Sequence, residues 1–568
     1  MPNLSVKHLL DTLEKSKLRF GDREARRVLD LLPDLTRVNF EDADSLLRFH
    51  ESLLFLRAFP QGPGVIARVE KLLNAFHLRV EDLRASGADM SAFDTFEYSG
   101  ITGTTMEDTL TFDVVRWLIK RLPGGVEIEW EQYDDERAMA ATWPRFFPLL
   151  EEDSYVEANI PWREWLRAAR GRSRELDWLI HQFERLALSS SEKAELYESL
   201  RLPVRWKLGN SKFSRTRNWL RPRASFYHSG PLIPRSSIRL DHELSQPGPV
   251  LKKLPLPQGK SVIEMIREVM LVRYRELYGT TLGDPRSVVQ TEVGRGVVIH
   301  LWGLPPDRRL PLRAYIAGFT LKNGVPINYI EAIGLCEWIE VGFNTFYTFR
   351  NGETAWIYAQ ALRCLHRLMG ARCISVYPYQ IGQGNDEALE SGAFWFYRKL
   401  GFRPGRPELL RLAEREENKI AADARYRTPV RILKRLAAGH VLYELPGSEK
   451  GAWDRFSTRN LGLKVNRLMA QKFDGDIARL RKATLSSVTR ALGVQSASWS
   501  SAEQQAFEHW APVLALIPAL GRWSRREKQD LVEILRAKAA PGEMRYLRLT
   551  QQHDRLRREL LRLGSSPP

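Results

Sequence analysis

The sequence predicts an α+β protein: a mixed-sheet core set between an α-rich N-terminal region and a helical, basic C-terminal tail. Three observations predict it. Between residues 288 and 346, short β-branched runs alternate apolar and polar positions, the period-two pattern of half-buried strands. Between 354 and 402, helical periodicity stands on both sides of one short β-branched run, which reads helix, strand, helix. Outside this core the apolar residues recur at three- and four-residue steps, punctuated by Pro and Gly. The chain divides accordingly into residues 1–199, a basic and Pro-rich linker 200–260, the core 261–445 and the tail 446–568.

Taken in order, helices are expected over 6–13, 23–32 and 44–59, with Pro33, Pro60 and Pro63 as stops and Asp42 or Asp44 capping the third. Residues 93–105 mix Gly, Thr and Ser with aromatics and read as a strand leading into a loop before a helix at 112–121. Such a loop is able to cradle a phosphate on backbone N–H groups. It lacks the Lys-Ser/Thr ending of a P-loop, so a plain connection is the preferred reading. A strand at 126–130 and helices near 135–141, 162–169, 174–188 and from Ser190 complete an α-rich region with a small sheet.

No acidic residue occurs from 200 to 240, where arginines such as Arg215, Arg217, Arg221 and Arg223 interleave with Trp206, Phe213, Trp219, Phe226 and Tyr227. Phosphate neutralisation with aromatic stacking holds single-stranded nucleic acid without reading its sequence. The plainer reading is a connecting segment anchored by its aromatics, with its cations in solvent. Six prolines between 231 and 257 then mark an extended stretch.

The core opens with a helix over 261–278, closed by Gly279. Strands follow at 288–293, 297–302, 314–321, 327–333 and 338–346, with Lys322-Asn323-Gly324 as a hairpin turn. A helix over 354–369 ends at Gly370, and Cys373-Ile-Ser-Val-Tyr377 reads as a buried strand. In 391–402, SGAFWFYRKLGF, the residues Ala393, Phe394, Tyr397 and Leu400 make one apolar face, and Gly401 supplies a left-handed stop before Phe402. Helices over 407–422 and 429–438 and a last strand at 441–445 close the core. The tail reads as helices over 461–473, 476–492, 501–516, 524–539 and 544–563, with capping-box signatures at Ser500/Glu503 and Ser524/Glu527.

Ala393, then Tyr397 four residues on, then Gly401-Phe402 four further, resembles the closing motif of the cofactor half in the GNAT superfamily of N-acyltransferases. The resemblance covers residues 261–445, and the order helix, antiparallel strands, helix, strand, helix agrees with it. It implies a GNAT-like core that transfers an acyl group, acetyl first, from acetyl-CoA or another acyl-CoA to a small-molecule or protein amine. Tyr397 is then the general acid on the leaving thiolate. The base is then a carboxylate on the strand before the phosphate loop, or water held by that strand; Glu337 and Glu340 are the candidates, with Glu331 on the preceding strand, and Glu340 is preferred. Strand alternation puts Glu337 and Glu340 on opposite faces, so at most one points into the cleft.

The family's pyrophosphate loop falls at Arg350-Asn-Gly352-Glu353-Thr354-Ala355. Arg350 and Ala355 fit its pattern, whereas the middle glycine position is Glu353, with Gly352 one residue early. A carboxylate there opposes a phosphate unless it turns away, to cap the helix or to pair with Arg350. Asn385, in the polar loop after the 373–377 strand, is the nearest asparagine to the place where the family holds cofactor amides. A degenerate core that binds without reacting, touching nucleic acid through 200–240, is the rival expectation.

Composition narrows the rest. The net charge of +17 favours polyanions, CoA among them. Three cysteines without metal-type spacing argue against a disulfide framework and a structural metal. No apolar run approaches the ~18 residues of a membrane span, and the first residues lack the apolar segment of a secretion signal, which leads to the expectation of a cytoplasmic, multidomain protein.

Overall fold

The computed structural model describes residues 5–147 and 162–566. The chain forms two compact units. The first comprises Met1–Leu220, Tyr227–Pro231 and Glu264–Thr281; the second comprises Arg221–Phe226, Leu232–Ile263 and Leu282–Pro568. The two are interleaved along the sequence, since the helix Leu256–Leu271 supplies residues to both.

In the first unit, the helices Val6–Ser16, Asp22–Arg37, Ala43–Ala58, Pro63–Asn74 and Phe76–Ala85 lead into a three-stranded antiparallel sheet. Asp42 caps the third helix by accepting from Ser45 N at 2.7 Å. Pro33 does not stop the second helix, which runs on to Arg37. Burial of Val28, Leu32 and Leu35 on one face offsets the lost backbone bond. Pro63 opens a helix rather than marking a break, because a first-turn proline gives up no hydrogen bond.

The sheet consists of β1 (Thr105–Thr109), β2 (Val126–Ile128) and β3 (Pro203–Lys207), in the order β1-β3-β2. The strand expected near residue 93 is a short 3-10 turn, Ser91–Asp94, and the strand proper starts at Thr105. The central strand comes from the segment expected to be a linker. Trp206 and Phe213 are core residues there, packed with Tyr197, Phe183 and Trp143.

The Gly/Thr-rich loop is a locked connection. Gly100 has φ +85, and a Cβ on it would lie 2.2 Å from the carbonyl oxygen of Val272. Ser99 Oγ donates to that same carbonyl at 3.0 Å, and Thr102 N donates to Thr216 Oγ1 at 3.1 Å. Gly103 N is bound to Gly209 O at 2.8 Å. The N–H groups of Thr102 and Gly103 are spent within the protein and are not available to a phosphate.

The second unit carries a nine-stranded mixed sheet. Its strands are β4 (Lys252–Lys253), β5 (Val289–Gly294), β6 (Val297–Trp302), β7 (Ala314–Lys322), β8 (Val325–Leu335), β9 (Trp338–Thr345), β10 (Cys373–Val376), β11 (Arg403–Pro404) and β12 (Val441–Glu444). The order is β11-β12-β10-β9-β8-β7-β6-β5-β4. Neighbours are antiparallel except β9 and β10, which run parallel. Asn323 and Gly324 turn β7 into β8 with φ +48 and +76, as the Asn-Gly pair predicts.

The helix Thr354–Met369 has the predicted bounds, ended by Gly370 in the left-handed region. The helix expected over 261–278 instead spans Leu256–Leu271, and Gly279 lies inside a separate turn, Tyr278–Thr281. In the tail, Ser500/Glu503 and Ser524/Glu527 form complete capping boxes. The last helix is broken in two, Met544–Gln552 and Asp554–Ser565. His553 makes the break by leaving helical φ/ψ, and its Nδ1 accepts from Leu556 N at 3.2 Å, capping the second piece.

Candidate functional site: the cleft where two parallel strands part

The parallel pairing of β9 with β10 is brief. It joins Trp338, Ile339 and Glu340 to Cys373, Ile374 and Ser375 and goes no further. Strand β9 continues to Thr345, still paired with β8 as far as Asn328. Among the described residues, 341–345 thus have no strand partner on the β10 side. A cleft of about 230 Å³ lies beside them. Phe343, Asn344 and Thr345 form one wall; Arg350 and Thr354 come from the turn and helix that follow β9; Gln380, Asn385 and Glu387 come from the loop after β10; Phe396 and Tyr397 close it.

Tyr397 is held by the helix Ala393–Lys399 and its stop. Phe402 N donates back to Tyr397 O at 3.2 Å, which fixes the end of the helix. The ring packs edge-on against Tyr358 and Phe402, with centroids 5.6 Å away in both cases. The residue is 4% exposed, it lines the cleft, and its hydroxyl has no hydrogen-bond partner among the described residues. Burial pushes the phenol pKa up, so the proton stays on throughout the neutral range.

Arg350 follows the 3-10 turn Tyr347–Phe349. Its guanidinium stacks over the Tyr347 ring at 3.8 Å, Nε donates to Thr345 O at 3.4 Å, and Nη2 is bound to the carboxylate of Glu387. Thr354 opens the helix, and its hydroxyl donates to Arg350 O at 3.3 Å. Among the described residues no side chain caps the helix N-terminus, and its first residue, Thr354, lines the cleft.

Glu353 does neither of the two things the sequence left open. It neither caps the helix nor pairs with Arg350. It is fully buried, accepts from Arg295 Nε at 3.1 Å and from Ile233 N at 3.1 Å, and lies 3.6 Å from Lys322 Nζ. Burial raises its pKa, but the Arg295 bond and the Lys322 charge outweigh that and hold the carboxyl below its usual range. Burial pulls the Lys322 ammonium the other way, down to about 7.

Asn385 lines the cleft, yet both ends of its amide are in use. Oδ1 accepts from Ala388 N at 3.2 Å, capping the short helix Asp386–Glu390, and Nδ2 donates to Tyr379 O at 3.1 Å. Gly352 and Ala355 are not among the lining residues; Gly352 N is bound to Phe349 O at 2.9 Å.

Glu340 is not a lining residue either. Its carboxylate faces Arg313 Nη1 at 3.4 Å and His440 Nδ1 at 3.7 Å. Burial raises its pKa against the pull of Arg313, and burial pushes the His440 imidazole down to about 4. Glu337 is bound elsewhere, to Trp453 Nε1 at 2.7 Å and Arg557 Nε at 2.7 Å. Glu331 takes the hydroxyl of Tyr315.

Sequence reasoning missed Glu387 and Gln380. An acid just after the cap Asn385 is a readable helix-start signal, but its aim at Arg350 is set by the sheet. In the basic segment, Trp206 and Phe213 are buried and offer no face to a base. Arg215 is buried as well, 3.9 Å from Glu51, with Nη1 bound to Glu97 O. Among the described residues no cluster of His, Cys, Asp and Glu has the arrangement of a metal site, and no helix is long and apolar enough to cross a membrane. No family model, curated protein or solved structure matches this chain.

Proposed function

We propose that the second unit is an acyl-CoA-dependent N-acyltransferase of GNAT type, with acetyl-CoA as the first candidate donor and an amine as acceptor. One observation carries the reading. Arg350 and Tyr397, chosen by motif spacing from separated parts of the chain, line one cleft together with Thr354 and Asn385, beside the parting of the parallel strand pair. In the reaction, the neutral amine nitrogen attacks the thioester carbon, the carbon–sulfur bond breaks, and the proton the nitrogen sheds passes to solvent in the cleft. Tyr397, kept protonated by burial, gives its proton to the leaving thiolate. The helix N-terminus at Thr354 and the guanidinium of Arg350 suit the cofactor's pyrophosphate.

Glu340, the carboxylate the motif offers as base, lies outside the cleft lining and is engaged by Arg313. That observation favours the second reading, a GNAT-fold protein that binds the cofactor without turning it over.

Both are tested by adding acetyl-CoA to the full chain. Binding to the native state raises the melting temperature by mass action. Release of free thiol with a panel of amines then separates the two: stabilisation with release supports transfer, and stabilisation without it supports the binding protein. No stabilisation at millimolar acetyl-CoA would overturn both.

A further inference from the structure

The mouth of the cleft holds a carboxylate where an anionic ligand would be expected to sit. Glu387, on the short helix Asp386–Glu390, is bound to Arg350 Nη2, and both residues line the cleft. The pair is about one-third exposed, with side-chain values of 32% and 31%, so incoming ligand reaches it directly. Arg350 is otherwise fixed in place by its stack on Tyr347 and its bond to Thr345 O. The guanidinium is therefore presented ready-made, and what has to change is its anion.

We propose that Glu387 is an internal competitor for the phosphate-binding Arg350, which a ligand's diphosphate must displace to reach the guanidinium. The proposal rests on the acyl-CoA reading and adds to it a residue that limits how tightly a diphosphate is held. A thioester carrier without phosphate gains nothing at Arg350 and leaves the pair intact. A carrier with a diphosphate brings two charges to a site that Glu387 fills with one, and it wins the exchange by charge-assisted bonding to the fork of the guanidinium. Glu387 pays back part of its loss in water, because it is already partly solvated.

The test compares acetyl-CoA with acetyl-pantetheine, which carries the thioester without phosphate, on the wild-type chain and on Glu387→Gln. Calorimetric titration of Glu387→Gln should show acetyl-CoA binding about fivefold tighter, the loss of one partly exposed competing ion pair. Acetyl-pantetheine affinity should stay unchanged, which also shows that the variant is folded. Unchanged or weaker acetyl-CoA binding by Glu387→Gln, or an equal change for both ligands, overturns the proposal. If the wild type binds neither ligand, the acyl-CoA reading itself falls, and this inference with it.

Discussion

Glu353 accepts the Nε proton of Arg295 at 3.1 Å, from a position without solvent exposure. The carboxylate is thereby turned away from the start of the helix Thr354–Met369. An acid at the loop position where a glycine fits the phosphate-binding pattern is tolerable here because the half-buried Arg295 and the buried Lys322 claim it. The first prediction concerns that claim. Glu353→Ala leaves Lys322 and Arg295 without their shared carboxylate and should cost about 3–5 kcal/mol of unfolding free energy in urea titration. A loss below about 1 kcal/mol would show that the cluster is not what sets the loop.

The same cluster makes stability depend on alkaline pH. Burial holds Lys322 near pKa 7 in the folded chain, against 10.5 for a lysine in water. Between these two values the unfolded chain binds more protons, so stability contributed through Lys322 rises as pH rises across that window. Lys322→Met should flatten this rise in denaturant titrations at pH 7 and pH 9.5. An equally steep profile in the variant would assign the effect to other groups.

Removing only the hydroxyl of Tyr397 should separate chemistry from packing. Tyr397→Phe keeps the ring contacts with Tyr358 and Phe402 and should leave the melting temperature within a few degrees of wild type. Thiol release from acetyl-CoA should drop about 100-fold, the range for losing a general acid. Because the phenol pKa is raised by burial, no alkaline loss of activity from this group is expected below about pH 10. Full activity in the variant would remove Tyr397 from the mechanism.

Two glycines with similar backbones test the locked loop. Gly87 has φ +79 with open space around it, whereas Gly100 has φ +85 and the Val272 carbonyl 2.2 Å from a Cβ. Gly87→Ala should cost about 1 kcal/mol, the strain of a left-handed alanine. Gly100→Ala adds a clash with backbone and should cost at least about 3 kcal/mol. Equal melting temperatures for the two variants would mean that the approach to Val272 is loose.

The basic segment divides in the same way. Arg215 is buried, and Arg215→Ala should destabilise by about 3 kcal/mol through the partners it leaves behind. Arg221 and Arg223 are exposed, so replacing both with Ala should change stability by less than about 0.5 kcal/mol. If the exposed pair instead governs a salt-sensitive affinity for single-stranded nucleic acid, the segment has a binding role of its own.

Much of the core was legible because its signals are local. The helix Thr354–Met369 begins and ends where its apolar period and Gly370 say it should, and Asn323-Gly324 marks its hairpin without help from the rest of the fold. Signals that depend on partners were not legible. Strand β11 is only two residues long and exists because β12 pairs with it. Residues 203–207 read as linker because charge dominates their composition, yet β1 and β2 flank them on either side. Within the site, motif spacing found Arg350 and Tyr397. Alternation separates the two faces of β9 but does not say which one meets the opening, so it leaves Glu340 eligible, whereas Glu387 reaches Arg350 only through the fold.

The interleaving of the two units bears on how the molecule is made. A nascent chain that has emerged only as far as Leu220 holds Ser99 and Gly100 but not Val272, the residue whose carbonyl the loop closes upon. The first unit must wait on the ribosome until synthesis has passed Thr281, by which point the first stretches of the second are already out. Fragments cut at residue 220 or 260 would each carry an unfinished surface, so dissecting this protein calls for internal deletions or point changes in the intact polypeptide.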